Sequence, residues 1–314
     1  MLDSLWEQYR SVVDFIMANS FFALSTWIAM WAGIFSLSGA AFGATGGFTV
    51  AWLDSQYELS VPVQIAVGGL AGLVPALIMG LLILKLESHW LAMATVGLVL
   101  ITRVVVLNAE SITGGPVGMG VRRSMDSLVL LAMVVVICFV LARLRRSKFG
   151  LAVHTVREDP NVAAALGVNP AVIRYIAFGA SGLVAGIGGV ALANLLQYIG
   201  PDTFFMTLAF TMLAATVLGG TYHWFGAIVG TVVFVGLPEV MRAEFAGIDE
   251  IITGALLVIV MIFLPRGLID PQRRLRRRGR GASIPPADDS PLPAETAPVV
   301  DTVASAETPQ EVGR

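Results

Sequence analysis

The chain has 314 residues, 56% of them hydrophobic and only 13% charged, against roughly 25% charged in an average soluble domain. The mean hydropathy is +0.80, so there is too little polar surface for a water-soluble globular enzyme and too much apolar character for a disordered body. The net charge of −2 hides a segregation, because a basic run near the C-terminus is followed by a tail holding six of the 22 acids.

A membrane-spanning helix needs about 20 mostly apolar residues. In chain order, nine stretches qualify: 19–36, 39–53, 62–84, 89–107, 126–143, 174–197, 203–219, 223–240 and 250–265. The fold class is therefore all-α, a polytopic membrane protein of about nine helices, within a range of eight to ten. Residues 1–18 do not read as a signal peptide: Asp3 and Glu7 accompany a single Arg10, and no small-residue cleavage site precedes an apolar run. Residues 5–18 read as a surface amphipathic segment or as the first turns of the first helix. The second span is short and carries Gly39, Gly43, Gly46 and Gly47. It is expected to be broken or partly re-entrant, which is tolerated only inside protein.

With nine spans, one side holds fourteen Lys and Arg and the other four. The positive-inside rule puts the richer side in the cytoplasm, with the N-terminus outside and the C-terminus inside. Small residues recur four apart: Gly39 and Gly43, Gly68 and Gly72, Gly182 and Gly186, Gly226 and Gly230. Such spacing allows close backbone approach where lipid gives helices no hydrophobic drive to associate. The richest stretch, 178–189, is expected at the centre of the bundle, with Gly182, Gly186 and Gly189 at packing contacts. Ordinary helix packing is the simpler reading of these glycines, a sliding or pore-forming interface the sharper one.

The long connection at 143–174 carries the most information. It starts basic, from Arg143 to Lys148, and ends with helix punctuation. Asp159 suits an N-cap and Pro160 the first helical position. Ala163, Ala164 and Ala165 favour helix, Gly167 stops it, and Asn169-Pro170 restarts the chain. A helix of about two turns outside the membrane follows, fit to dock against a protein or to lie on lipid. A connection of this length is uncommon without a function.

Several stretches then match one family in order. Ser147-Lys-Phe-Gly-Leu-Ala, Thr155-Val-Arg-Glu-Asp-Pro and Ala163-Ala-Ala-Leu-Gly167-Val resemble the ATPase-coupling loop of the branched-chain amino acid permeases of ABC importers, in the LivM-type branch. The Gly/Ser-rich run from Ser36, Trp90-Leu-Ala-Met-Ala-Thr-Val, Ile112-Thr-Gly-Gly-Pro, the Gly-Gly turn at 219–220 and Phe263-Leu-Pro-Arg-Gly-Leu are similar to further family motifs. Gly39 stands where a His is common, Leu151 where a basic residue is, and Pro160 where an acid is. The resemblance covers about residues 20–268.

The resemblance implies one membrane subunit of an ATP-driven importer, in the plasma membrane. It implies a second homologous permease, two cytoplasmic ATPases and an extracytoplasmic solute-binding protein as partners, besides the bilayer. Arg157, Glu158, Asp159, Pro160, Ala163, Ala164, Ala165 and Gly167 would form the coupling loop. Movement there would pass along the helix starting near Arg174 to the Gly-rich segment. The solute would be a branched-chain amino acid or a related small polar molecule such as urea or an amide. Neither Lys85 nor Lys148 follows a Gly-x-x-x-x-Gly pattern, so ATP and magnesium are expected on partner subunits and no cofactor on this chain. Nothing points to nucleic acid.

Ser38, Thr45, Thr95 and Thr113, with the backbone of Gly114 and Gly115, offer weak hydrogen bonds along a translocation path. Helix packing or a turn is the simpler reading of each. Arg103 lies inside a span near its outer end. It either snorkels to the interface or pairs with Asp126, Glu110 or the solute carboxylate. Glu239 is a cavity carboxylate or an interfacial residue. His89, His154 and His223 are isolated and make no expected metal site. An ion-coupled transporter or channel is the competing class, but the spans hold almost no Asp, Glu or Lys for coupling. A membrane-embedded enzyme is less supported: Ser181 and Cys138 have no base at helical spacing, so no catalytic residue is assigned. Residues 1–270 read as the permease domain, and 271–314 as a disordered tail that starts polybasic.

Overall fold

A computed structural model describes residues 2–86 and 88–239. The ninth expected span, the motif at 263–268 and the tail at 271–314 lie outside the described residues. The elements in order are α1 (Leu2–Trp31), α2 (Gly39–Tyr57), α3 (Val61–Ile83), α4 (Ser88–Asn108), α5 (Glu110–Thr113), β1 (Met119–Gly120), α6 (Ser127–Arg145), α7 (Lys148–Glu158), α8 (Pro160–Ala165), α9 (Pro170–Leu196), β2 (Tyr198–Ile199), α10 (Met206–Gly219) and α11 (Trp224–Thr231). A π-helical stretch, Val232–Gly236, extends α11. The two strands pair antiparallel, Met119 with Ile199 and Gly120 with Tyr198.

Eight of the nine expected spans are helical. Among the described residues, five helices (α1, α3, α4, α6 and α9) are long and apolar enough to cross a membrane. The α10–α11 pair, bent by 119°, makes a sixth if it is counted as one span. Residues 5–18 belong to α1, which settles the choice left open for that segment. Two expectations are corrected. Helix α2 is a continuous helix of 19 residues rather than a broken one. The break falls earlier, because α1 ends at Trp31 instead of continuing to residue 36. Gly33, at φ +74°, turns the chain there, and residues 32–38 run without helix.

Helix α9 is the axis of the bundle: 83% of its apolar window is buried, against 17% for α6. Glycines explain how. Gly46 of α2 and Gly72 of α3 both press on Gly186 of α9. A Cβ on Gly46 would stand 2.5 Å from the Gly186 oxygen, and one on Gly72 would stand 2.7 Å from its Cα. Gly189 meets the backbone of Gly43 in the same way, and Gly182 that of Gly72. Three backbones thus touch with no side chain between them, and dispersion between dense surfaces replaces the missing hydrophobic drive.

Hydrogen bonds between helices meet the demands of an apolar solvent. Pro75 lies inside α3 and has no N–H for the carbonyl four residues earlier. That carbonyl belongs to Ala71, and Thr45 Oγ1 of α2 shares its proton between it at 3.0 Å and the Phe42 carbonyl at 2.8 Å. Ser25 Oγ donates to the Ser181 carbonyl at 2.8 Å, joining α1 to α9.

At one end of the bundle, buried Gln64 gathers three segments. The two protons of its Nε2 are shared among three acceptors, Asp54 Oδ1 at 3.2 Å, the Leu59 carbonyl at 3.0 Å and Ser124 Oγ at 3.2 Å. Asn194 Nδ2 donates to Gln64 Oε1 at 3.1 Å. This end also carries β1 and β2 and is the strand end of the bundle. On its surface Arg122 hydrogen-bonds and faces Glu58 at 2.8 Å, holding that carboxyl below its ordinary range. The α7–α8 pair occupies the opposite end.

Gly72→Ala is expected to lower stability by about 1–3 kcal/mol through overpacking. Gly97 has open space around its Cα, and Gly97→Ala should be neutral or gain about 0.5–1 kcal/mol. Thermal unfolding of the two purified variants in detergent checks the contrast; equal melting would contradict the packing account.

Candidate functional site

The α7–α8 end is built by capping. Ser147 Oγ accepts from the Gly150 amide at 3.4 Å and starts α7. This helix is absent from the sequence expectation, which placed only a basic start there. Its signals are the Ser147 cap and Val153 and Val156, three apart and both fully buried. Gly150 lies against the carbonyls of Leu144 and Arg145, which lets the chain double back from α6. Phe149 meets Trp31 edge-on at 6.5 Å.

Helix α8 has six residues. Asp159 Oδ1 accepts from the Asn161 and Val162 amides at 2.8 and 3.2 Å, and Pro160 holds the first position. Gly167 ends the segment at φ +81°. Asn169 Oδ1 then caps α9 through the Ala171 amide at 3.0 Å. One side chain of α8 turns inward: Ala163 is fully buried. Val162 is 51% exposed and Leu166 71%, with Leu151 of α7 at 68%. Ala164 and Ala165 are exposed too. The pair therefore presents an apolar face at an end of the bundle, on an element too short to span lipid. Leu166 belongs to the Ala/Leu side expected of α8; Leu151 and Val162 were not assigned to that face from the sequence.

Of the polar residues expected along a path, Ser38 and Thr95 come together. The Leu37 amide donates to Thr95 Oγ1 at 3.2 Å. Ser36 and Ser38 share a hydrogen bond between hydroxyls at 2.7 Å. All three side chains are buried, Thr95 completely. Ser36 was not assigned from sequence, although the Ser-Leu-Ser spacing was visible. Next to this loop is a cavity of about 220 Å³ lined by Gly33, Ile34, Phe35, Leu84, Leu86, Leu91 and Arg174.

The other candidates stand elsewhere. Thr45 serves the Ala71 carbonyl, as described above. Thr113 Oγ1 donates to the Val106 and Ala109 carbonyls at 2.6 and 2.9 Å. Gly114 and Gly115 adopt φ of +73° and +57° in the same turn. Arg103 pairs with Asp202 at 2.7 Å and lies 4.3 Å over the Phe205 ring. Asp202 takes the place expected for Asp126 or Glu110, because the turn after β2 brings it alongside α4.

A family model described as the permease component of branched-chain amino acid transport systems matches residues 11–264. The chain belongs to that family. It is 30% identical over 282 residues to the high-affinity branched-chain amino acid transport system permease protein LivM of Salmonella typhimurium, covering 78% of this chain and 66% of that protein. It thus spans just under two thirds of that relative's length. It is 29% identical to the LivH permease of the same kind of system in Escherichia coli, over 40% of this chain and 41% of that one. With the autoinducer 2 import system permease LsrC of Escherichia coli it shares 25% identity, over 86% and 84% of the two chains. No solved structure matches. The family members are multi-pass membrane permeases, in keeping with the apolar helices here.

Asp159→Ala should cost α8 about 1 kcal/mol and so raise amide exchange at Asn161 and Val162 roughly fivefold. Hydrogen exchange of the detergent-solubilised protein checks this; unchanged rates would deny the cap a role.

Proposed function

We propose that this chain is a membrane-spanning subunit of an ATP-driven importer that carries branched-chain amino acids. Family membership supports the permease role. The exposed face of α7 and α8 is the observation that carries the coupling to ATP. A short capped helix with Val162 and Leu166 turned outward suits a cleft on a cytoplasmic ATPase, and its shape depends on residues 157–167. The excess of Lys and Arg on the connections at this end supports a cytoplasmic position for it.

The complete importer pairs this chain with a second permease, for which the LivM-like and LivH-like relatives give a precedent. Two ATPases bind the α7–α8 end, and a solute-binding protein delivers to the strand end. ATP is bound and hydrolysed on those partners. Alternation between the two ends follows from rigid movement of helix groups. The buried hydroxyls of Ser36 and Ser38 lie in non-helical backbone beside the cavity, with that of Thr95 reaching them from α4; irregular chain at membrane depth is tolerated where protein surrounds it. They are the contacts proposed for a solute leaving toward the ATPases. Ionic coupling has no support in the spans, so ATP should suffice.

Ala164→Glu puts a charge on the docking face and should reduce ATP-dependent leucine uptake by at least about tenfold while membrane insertion persists. Uptake into vesicles supplied with ATP, with ion gradients collapsed, checks it. Normal uptake by the variant would refute the docking assignment. Loss of wild-type uptake on collapsing the gradients would favour an ion-coupled carrier.

A further inference from the structure

Arg157 belongs to the stretch read as the coupling loop, yet its side chain turns into the protein. Nη1 donates to the Thr221 carbonyl at 3.2 Å, and Nη2 donates to Thr221 Oγ1 at 3.0 Å. The same carbonyl accepts from Trp27 Nε1 of α1 at 3.1 Å. Thr221 lies in the turn joining α10 to α11. Three elements far apart in sequence therefore meet at one residue.

The turn leads into a stiff unit. Gly219 of α10 and Gly226 and Gly230 of α11 place the two backbones in direct contact, with Gly230 against the Ala215 carbonyl. Helix α10 touches α1 a second time, where Thr216 Oγ1 shares its proton between the Met212 carbonyl at 2.7 Å and the Ala23 carbonyl at 3.2 Å. A displacement of Thr221 must carry the hairpin with it. The covalent route from α8 is looser. It passes through residues 166–169, where Leu166, Gly167 and Asn169 are exposed and Gly167 takes a left-handed conformation. An articulated, solvated joint transmits direction poorly. A planar guanidinium making two charge-assisted hydrogen bonds to one residue fixes orientation as well as distance.

We propose that Arg157 is a positioning residue that transmits movement of the α7–α8 pair to the α10–α11 hairpin and, through the shared Thr221 carbonyl, to α1. The proposal rests on the importer reading above and adds the path that the movement takes. Arg157 is thereby removed from the docking face, which is left to Leu151, Val162, Ala164, Ala165 and Leu166.

The test uses the complete importer, co-expressed with its ATPase and permease partners, purified and placed in proteoliposomes with ATP and radiolabelled leucine. Co-purification, ATP hydrolysis and leucine carried per ATP are read separately. Arg157→Met should co-purify normally and hydrolyse ATP within about twofold of wild type, while leucine per ATP falls at least about tenfold, as expected for loss of charge-assisted hydrogen bonds. Arg157→Lys keeps the charge but not the fork and should recover part of that ratio. Thr221→Val removes one acceptor and should lower it roughly threefold. It decides the matter if the Met variant fails to reach the membrane. An unchanged ratio in Thr221→Val together with an unchanged or unobtainable Arg157→Met overturns the proposal. Failure of Arg157→Met to co-purify while Thr221→Val behaves as wild type also overturns it, by placing Arg157 at the docking surface. If the wild-type complex neither assembles nor carries leucine, the importer reading fails instead, which is a distinguishable result.

Discussion

The fold depends on three helix backbones meeting at Gly186. Lipid is as apolar as leucine, so nothing expels these helices from solvent into each other. Contact must be won by fit alone, and the closest fit is glycine on glycine. Gly46, Gly72 and Gly186 satisfy that condition on α2, α3 and α9. Helix α9 can therefore lie deeply buried, while α4 and α6 stay at the periphery with wide apolar surfaces.

Close approach has a consequence for the polar groups. Backbone carbonyls that would otherwise lie under a side chain are brought within reach of hydroxyls on the next helix. Thr45 finds the carbonyl that Pro75 leaves unmatched, and Ser25 finds that of Ser181. The same closeness lets residues 36–38 run unwound and buried. The Leu37 amide is met by Thr95, and the Ser38 amide and hydroxyl by Ser36. In a looser bundle this loop would be untenable, because each unmatched group in an apolar medium costs several kcal/mol. Weak polar contacts are thus held beside the cavity by neutral hydroxyls and amides.

The two ends of the molecule are built on different principles. The strand end is locked by neutral side chains around Gln64 with the carboxylate of Asp54, and is trimmed by the exposed Arg122–Glu58 pair. Such exposed pairs contribute little by themselves. The α7–α8 end is assembled from caps, each local to a few residues, and then tied to the bundle by Arg157 and by Phe149 against Trp31. Val153, Val156 and Ala163 are buried there, while Leu151, Val162 and Leu166 stay exposed.

The punctuation of α8 was legible because capping is a local matter: Asp159, Pro160, Gly167 and Asn169 act within three or four residues of themselves. The membrane class was legible from composition, and the burial of the 178–189 stretch from its glycines. The break between α1 and α2 was misplaced, because a run of small and apolar residues looks alike whether it is helical or unwound. Which side-chain hydroxyl meets which carbonyl was not legible at all. Thr45 and Thr95 are alike in sequence, and only the neighbouring helix decides that one repairs α3 while the other holds a loop. The pairing of Arg103 with Asp202, 99 positions away, and the turning of Arg157 toward Thr221, 64 positions away, belong to the same class. The amino-acid sequence by itself determined the solvent the protein lives in, its helical class and its local stops and starts, because these depend on composition and near neighbours. Only the tertiary structure decided the polar partners, Arg157 with Thr221 and Arg103 with Asp202 among them, because those depend on which helices the glycines allow to touch.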